Sequence, residues 1–97
     1  MSALFSFFLE MPEIDLHGLS VDEARRELDQ WIDGLVRAHE PFGRIIHGRG
    51  KGILQQFVVR EIAQHRCVER VEASGVSHEI GAVTYIVLAS GPRKNVY

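Results

Sequence analysis

The chain has 97 residues, of which 45% are hydrophobic, and this is enough for one compact core but not for two. Its single cysteine, Cys67, excludes an internal disulfide and a cysteine-based zinc site, so we expect a reducing compartment, the cytoplasm. The formal net charge of −2 argues against a protein whose whole surface attracts nucleic acid. The basic residues are concentrated after position 40, however, so the second half of the chain can form a local basic surface.

The first segment, residues 1–12, is predicted to be an N-terminal arm. Its apolar run is short and no basic residue precedes it, so it is neither a convincing signal peptide nor a membrane span. We expect it to fold against its own domain or to fray. The alternative is a docking arm or an oligomer contact, and the oligomeric state is left open.

Residues 13–17 have the sequence EIDLH, in which polar and apolar side chains alternate, and this predicts a short half-buried strand. Ser20 and Glu23 then have the spacing of a capping box, which marks the start of a helix. Apolar residues recur from Val21 at intervals of three and four, so an amphipathic helix is predicted to run to about His39.

The later elements follow from breaks in this pattern and from β-branched runs. In chain order we predict a strand at 44–47, a glycine-rich run at 48–52, a helix at about 53–65, a strand at 68–73, a loop at 74–82, a strand at 83–88 and a mobile C-terminal tail at 91–97. The order βαβαββ over residues 13–90 predicts an α/β two-layer sandwich. In it, two helices cover one face of a mixed four-stranded sheet and leave the other face open.

Two histidines end the first two predicted strands. Ligands of parallel α/β sheets bind beyond the carboxyl ends of the strands, where His17 and His47 would lie on one rim if those strands are neighbours. The two-residue period of a strand places Asp15 on the same face as His17. We therefore expect Asp15, His17 and His47 to share one exposed shelf.

The glycine-rich loop at this rim favours an anion. Gly48 and Gly50 allow close approach of the backbone, Arg49 and Lys51 add positive charge, and both helix N-termini offer unpaired amides. The loop matches neither the P-loop nor the dinucleotide-binding pattern. A phosphate or phosphodiester site is predicted, with Arg44 as a further basic contact. In the alternative interpretation the loop is only a mobile turn, His17 caps its turn and Asp15 pairs with a nearby base.

Two motifs, IDLHG at 14–18 and IIHGRGKG at 45–52, together with the closing TYIVL strand at 84–88, resemble the Smr (small MutS-related) domain family. The resemblance spans about residues 14–88. It implies a two-layer α/β sandwich like the C-terminal domain of translation initiation factor three. It also implies endonuclease activity, with nicking of DNA in some members and cleavage of RNA, including messages on stalled ribosomes, in others.

By position, Asp15 and His17 correspond to the first motif of the family, and His47, Gly48 and Gly50 to the second. Arg49 occupies the variable basic position. The chain departs from the family at 74–82, where members often have several glycines and this sequence has EIG at 79–81. The departure affects the expected shape of the substrate groove.

Two mechanisms are consistent with an endonuclease. In one, His17 and His47 act as general base and acid, Arg49 stabilises charge on the phosphoryl oxygens, and only RNA is cleaved through its 2′-hydroxyl. In the other, Asp15 and a histidine hold a divalent ion, Mg²⁺ or Mn²⁺, that activates water, and DNA becomes a possible substrate.

A non-catalytic alternative is a nucleic-acid-binding module recruited to DNA repair, recombination or ribosome-associated complexes. It would bind through basic residues of the second half: Arg44, Arg49, Lys51, Arg60, Arg93 and Lys94. A third hypothesis is an assembly role for the apolar arm. No membrane partner is expected.

Overall fold

A computed structural model describes residues 11–89 of the chain. Its helices and strands are, in order, β1 (Glu13–Asp15), α1 (Val21–Arg37), β2 (Phe42–Ile46), α2 (Ile53–Glu61), β3 (Val68–Ala73) and β4 (Val83–Leu88). Short 3₁₀ turns cover Ile62–Gln64 and Ser77–Glu79. The four strands form one sheet in the order β1-β2-β4-β3.

The sheet is mixed, as predicted. β1 and β2 are parallel, whereas β4 is antiparallel to both of its neighbours, β2 and β3. A hydrophobic core lies between the helices and one face of the sheet, and its fully buried members include Leu16, Leu28, Ile45, Val58 and Ile86. The observed architecture is therefore the α/β sandwich with two helices that the sequence predicts.

Helix α1 forms because local and tertiary preferences agree. The Ser20 hydroxyl accepts from the Glu23 amide and the Glu23 carboxylate accepts from the Ser20 amide, which completes the predicted capping box. Its apolar stripe buries Ala24, Leu28 and Ile32 against the sheet. Tertiary packing and capping both fix the start of α1, so the loop before it has a defined position.

Several element boundaries differ from the prediction. The ladder of β1 ends at Asp15, so His17 lies just beyond the strand. Helix α2 ends at Glu61 and tightens into a 3₁₀ turn, whereas the sequence pattern predicted a continuous helix to about His65. The loop predicted at 74–82 contains a 3₁₀ turn at Ser77–Glu79. The proposed N-terminal arm, up to residue 10, and the C-terminal tail lie outside the described residues.

The sheet face opposite the helices carries a groove of about 680 Å³. Its floor includes the partly apolar side chains of Phe42, Tyr85 and Val87, and its walls include Arg44 and Glu79. No helix within residues 11–89 is both long and apolar enough to cross a membrane.

Gly43 is required where β2 passes beneath α1. A methyl group at this position would lie 2.7 Å from Cη2 of Trp31 and 3.1 Å from Cδ1 of Leu35. We expect Gly43→Ala to lower the free energy of unfolding by about 1–3 kcal/mol, because a well-packed core accommodates extra atoms only by strain. Gly34→Ala in α1 meets no atom within 4 Å and is expected to be neutral or stabilising. Urea denaturation of the two variants compares them directly, and equal stabilities would contradict the packing argument.

Candidate functional site

The Asp15–His17 pair lies at the carboxyl end of β1. One carboxylate oxygen of Asp15 accepts from both the backbone amide of His17, at 3.0 Å, and its ring Nδ1, at 2.9 Å. Nδ1 therefore carries a proton, and Nε2 has no hydrogen-bond partner among residues 11–89. The side chains are 51% and 72% exposed, so a ligand can reach this ring. The hydrogen bond from the His17 ring lowers the pKa of the Asp15 carboxyl below its ordinary value.

His47 has a different environment from the one expected. Its residue is 2% exposed, and both ring nitrogens are engaged, Nδ1 with the Gly48 carbonyl at 3.1 Å and Nε2 with the Thr84 hydroxyl at 2.9 Å. A carbonyl only accepts, so Nδ1 is the donor to Gly48. The expected exposed shelf of one carboxylate and two histidines is thus corrected: Asp15 and His17 are exposed, whereas His47 is buried. The reason is the strand period, which places His47 on the same face as Ile45.

The glycine-rich loop forms one wall of a cleft of about 340 Å³ beside His17. The residues that line the cleft are His17, Gly18, His47, Gly48, Arg49, Lys51, Gly52, Ile53 and Leu54. Gly48 has φ of +77°, and a Cβ there would lie 3.0 Å from Cβ of His17. The absence of a side chain at position 48 therefore allows the loop to approach the histidine closely.

The two helix N-termini are not equivalent, although the sequence suggested an anion site at both. The first turn of α1 is satisfied by its own capping box and carries the acidic residues Asp22 and Glu23. Helix α2 begins after Gly52 with no side-chain cap and no acidic residue in its first turn. The partial positive charge available to an anion is therefore at α2, whose first residues line the cleft.

The basic residues predicted to bind substrate separate into two groups. Arg49 and Lys51 line the cleft, whereas Arg44 lies among the residues of the groove on the open sheet face. Arg44 pairs there with Glu13 and Glu79, so its charge is neutralised within the fold. The structure does not bring Arg44 to the cleft, because position 44 faces the open side of β2. Gly50, with φ of +101°, belongs to the loop but is absent from the cleft lining.

Glu79 and Thr84 are buried polar residues to which the sequence analysis assigns no role. The Glu79 carboxylate accepts from Ser74 Oγ at 2.6 Å, Tyr85 OH at 2.9 Å and Arg44 Nε at 3.2 Å. Thr84 could have been found in the sequence, because it is a polar residue that shares the buried face of β4 with Ile86 and Leu88. Glu79 could have been found in the sequence because it lies in the loop where this chain departs from the family pattern.

The Glu79 cluster predicts a stability change at low pH. Hydrogen bonds from Ser74 and Arg44 lower the pKa of Glu79 from its ordinary value of 4.5 to about 2. The unfolded chain therefore binds a proton more readily, so this stabilisation is present above about pH 4.5 and is lost as the pH falls towards 2. We expect denaturation midpoints between pH 6 and pH 2.5 to fall less steeply in Glu79→Gln than in the wild type. Parallel curves for the two proteins would contradict this assignment.

The described side chains of the cleft are too few to hold a metal ion by themselves. Within the part of the chain that the structure describes, no group of three or more His, Cys, Asp or Glu side chains is placed to hold one. Asp15 and His17 provide two potential ligands, and the hydrogen bond between them occupies one oxygen and one nitrogen.

Comparison with known proteins shows to which family this arrangement belongs. The sequence profile of the Smr domain matches residues 14–89, which include both motifs and all four strands except the first residue of β1. The chain belongs to the Smr domain family. Its fold matches the crystal structure of the Smr domain of Thermus thermophilus MutS2 with a TM-score of 0.78 and 29% identity, covering 82% of this chain and 100% of that one.

Curated relatives of this Smr protein include two named Endonuclease MutS2. The protein from Thermomicrobium roseum is 42% identical over 78 residues, and that from Symbiobacterium thermophilum is 41% identical over 73 residues. These regions cover 79% and 75% of this chain but only 10% and 9% of the relatives. The Smr chain thus spans about a tenth of the length of these relatives.

Proposed function

We propose that this Smr domain is an endonuclease that cleaves a phosphodiester bond of DNA or RNA in the cleft between His17 and the glycine-rich loop. The observation that carries the proposal is the 2.9 Å hydrogen bond from His17 Nδ1 to Asp15, which leaves Nε2 free at the edge of that cleft. The endonuclease name of its MutS2 relatives supports the same reaction class. We propose the cytoplasm as its compartment.

The cleft provides groups for a phosphate. The amides at the start of α2 and the Gly48 loop contact phosphoryl oxygens, and the charges of Arg49 and Lys51 stabilise the additional negative charge of the transition state. Because Arg49 is held by the carbonyls of His78 and Ile80, its guanidinium has a defined direction before substrate binds. Such preorganisation reduces the free energy lost on binding.

His17 serves as the general base. Its Nε2 takes the proton of the attacking hydroxyl as the new P–O bond forms and the bond to the leaving oxygen breaks. The leaving oxygen takes a proton from water, and the hydroxide that remains is neutralised when His17 releases its proton to solvent. Asp15 fixes the tautomer and orientation of the ring and stabilises the imidazolium that results. His47 is a positioning residue in this mechanism, because its two nitrogens hold the Gly48 carbonyl and Thr84.

The attacking hydroxyl has two possible sources, and the products distinguish them. Attack by the adjacent 2′-hydroxyl restricts cleavage to RNA and leaves a cyclic phosphate and a 5′-hydroxyl. Attack by water permits DNA as well and leaves a linear phosphate end. Mg²⁺ commonly binds through one carboxylate and substrate phosphates, so a metal requirement would indicate an ion shared between Asp15 and the substrate.

Cleavage by the purified chain tests the proposal. A supercoiled plasmid and a labelled structured RNA are incubated with wild-type protein in Mg²⁺, Mn²⁺ or EDTA, and the product ends are mapped. We expect cutting of at least one substrate, and the EDTA response assigns the role of metal. Absence of any cutting under all conditions would reject endonuclease activity for this chain.

A binding module without catalysis is the second candidate, and the burial of His47 favours it. Without a second accessible imidazole at the cleft, the site has no evident general acid. A repair or ribosome-associated partner would then supply the targeting. In this case nucleic acid binds in a salt-dependent manner, and Lys51→Met reduces the slope of log affinity against log salt by about one. His17→Ala leaves that binding unchanged.

A further inference from the structure

Arg49 is held by the turn that precedes β4. Its Nε donates to the Ile80 carbonyl at 3.2 Å and its Nη2 to the His78 carbonyl at 3.0 Å. Among residues 11–89 it forms no ion pair with a carboxylate. An exposed arginine loses much conformational entropy when it is held in one geometry, so its direction depends on these two carbonyls remaining in place.

The same turn also supports the glycine-rich loop. The carbonyl of Ala82 accepts from the amides of His47 and Gly48, both at 3.0 Å, and the amide of Ala82 donates to the Glu79 carbonyl at 2.8 Å. Every link from the turn to the cleft therefore begins within three residues of Glu79. If the turn moves, Arg49 and the loop backbone move with it.

The side chain of Glu79 is what ties this turn to the sheet. It is 9% exposed, and donors from three different parts of the fold converge on it: Ser74 after β3, Arg44 of β2 and Tyr85 of β4. Arg44 is held in turn by Glu13 of β1. A carboxylate with donors on both oxygens is a strong local anchor, because each bond is charge-assisted.

We infer that Glu79 is a positioning residue for the cleft: it anchors the turn over 77–82 and thereby directs Arg49 at the bound phosphate. Glu79 touches no substrate in this arrangement, since its carboxylate lies in the groove on the open sheet face. The inference rests on the proposed function for its effect on cleavage. The orientation of Arg49, however, can be measured in the free protein.

The first arm of the experiment uses no substrate. The Nε–H signal of Arg49 in the free protein is assigned by NMR with the help of Arg49→Lys. In Glu79→Gln we expect this signal to shift and its exchange with solvent to accelerate about tenfold or more, since the neutral amide loses the charge-assisted bonds and its nitrogen can no longer accept from one set of donors. Tyr85→Phe removes one donor and keeps the ring, so it is expected to give a smaller shift in the same direction. An unchanged Arg49 signal in both variants would overturn the inference.

Glu72→Gln is the matched control. Glu72 is paired with Tyr85 across β3 and β4, lines the same groove and forms an ion pair with Arg70 at 2.6 Å, but among residues 11–89 it forms no hydrogen bond or ion pair with the turn. The charge change is identical to that in Glu79→Gln. We expect the Arg49 signal to remain unchanged in this variant, and an equal shift would mean that groove charge rather than anchoring is responsible.

The second arm is a double-mutant cycle on cleavage, measured at temperatures where all variants are folded. Glu79→Gln is expected to reduce the cleavage rate by about ten- to a hundredfold, because small misplacements at a reacting centre have effects of this size. In an Arg49→Met background the same change should cause a clearly smaller loss, because only the effect through the loop backbone remains. Equal losses in both backgrounds would overturn the inference. If the wild type cuts nothing but the Arg49 signal shifts in Glu79→Gln, the proposed function is rejected while the role of Glu79 in orienting Arg49 is supported.

Discussion

Replacing His17 with alanine is expected to reduce cleavage by about 10²–10⁴-fold, the usual contribution of a general base. The change removes the ring that Asp15 orients and leaves the phosphate-binding groups of the loop untouched. Because the side chain is 72% exposed, the free energy of unfolding should change little. Initial rates of cleavage and a urea denaturation curve on the same preparation measure the two quantities.

Two companion variants separate the role of His17 from general damage. Asp15→Asn keeps the shape of the pair but offers an amide to the ring, so about a hundredfold loss is expected from the wrong tautomer. His78→Ala removes an exposed histidine outside the cleft and leaves its backbone carbonyl for Arg49. If His78→Ala lost as much activity as His17→Ala, the assignment of the base to His17 would be wrong.

Gly48→Ala is expected to affect both stability and activity. A residue with a side chain in the left-handed region costs about 1–2 kcal/mol, and the added methyl lies 3.0 Å from Cβ of His17. Relief of this contact displaces His17 or the loop, so cleavage should fall by about a hundredfold. Thermal denaturation and cleavage rates of the variant provide the measurement.

Gly50→Ala serves as the control in the same loop. Gly50 also has a positive φ, +101°, but a Cβ there meets nothing within 4 Å. Both variants therefore have the same kind of backbone strain, but only Gly48→Ala adds a contact with His17. Gly50→Ala should lose stability and keep most of its activity. Equal activity losses would show that loop strain, and not the approach to His17, controls the reaction.

The fold was predictable because local signals and tertiary packing agree in this chain. The capping box of Ser20 and Glu23, the apolar stripe of α1 and the alternation in β1 each indicated the observed element. The end of α2 was less predictable, since the tightening after Glu61 depends on packing and not on a breaker residue.

The site was predictable in part. The two-residue period correctly placed Asp15 and His17 on one face, where the structure joins them by a hydrogen bond. The same two-residue period in β2 places His47 on the covered face with Ile45. The prediction that His47 is exposed is wrong because it relies only on the position of His47 at the end of the strand. The predicted place of Arg44 at the cleft rests on its charge alone. Its partner Glu79 is 35 residues away in sequence, and no local pattern identifies such a pair.

The location of Asp15 and His17 also has a thermodynamic consequence. They stand at the end of β1, which has three residues, lies at the edge of the sheet and pairs only with β2 among the described strands. Short edge segments open with a smaller free energy than the whole domain, while β2 and β4 remain protected by neighbours on both sides. The amides of β1 should therefore exchange hydrogen faster than those of β2 and β4. We expect the hydrogen-bonded pair of Asp15 and His17 to lose its geometry on mild warming, well before the core melts.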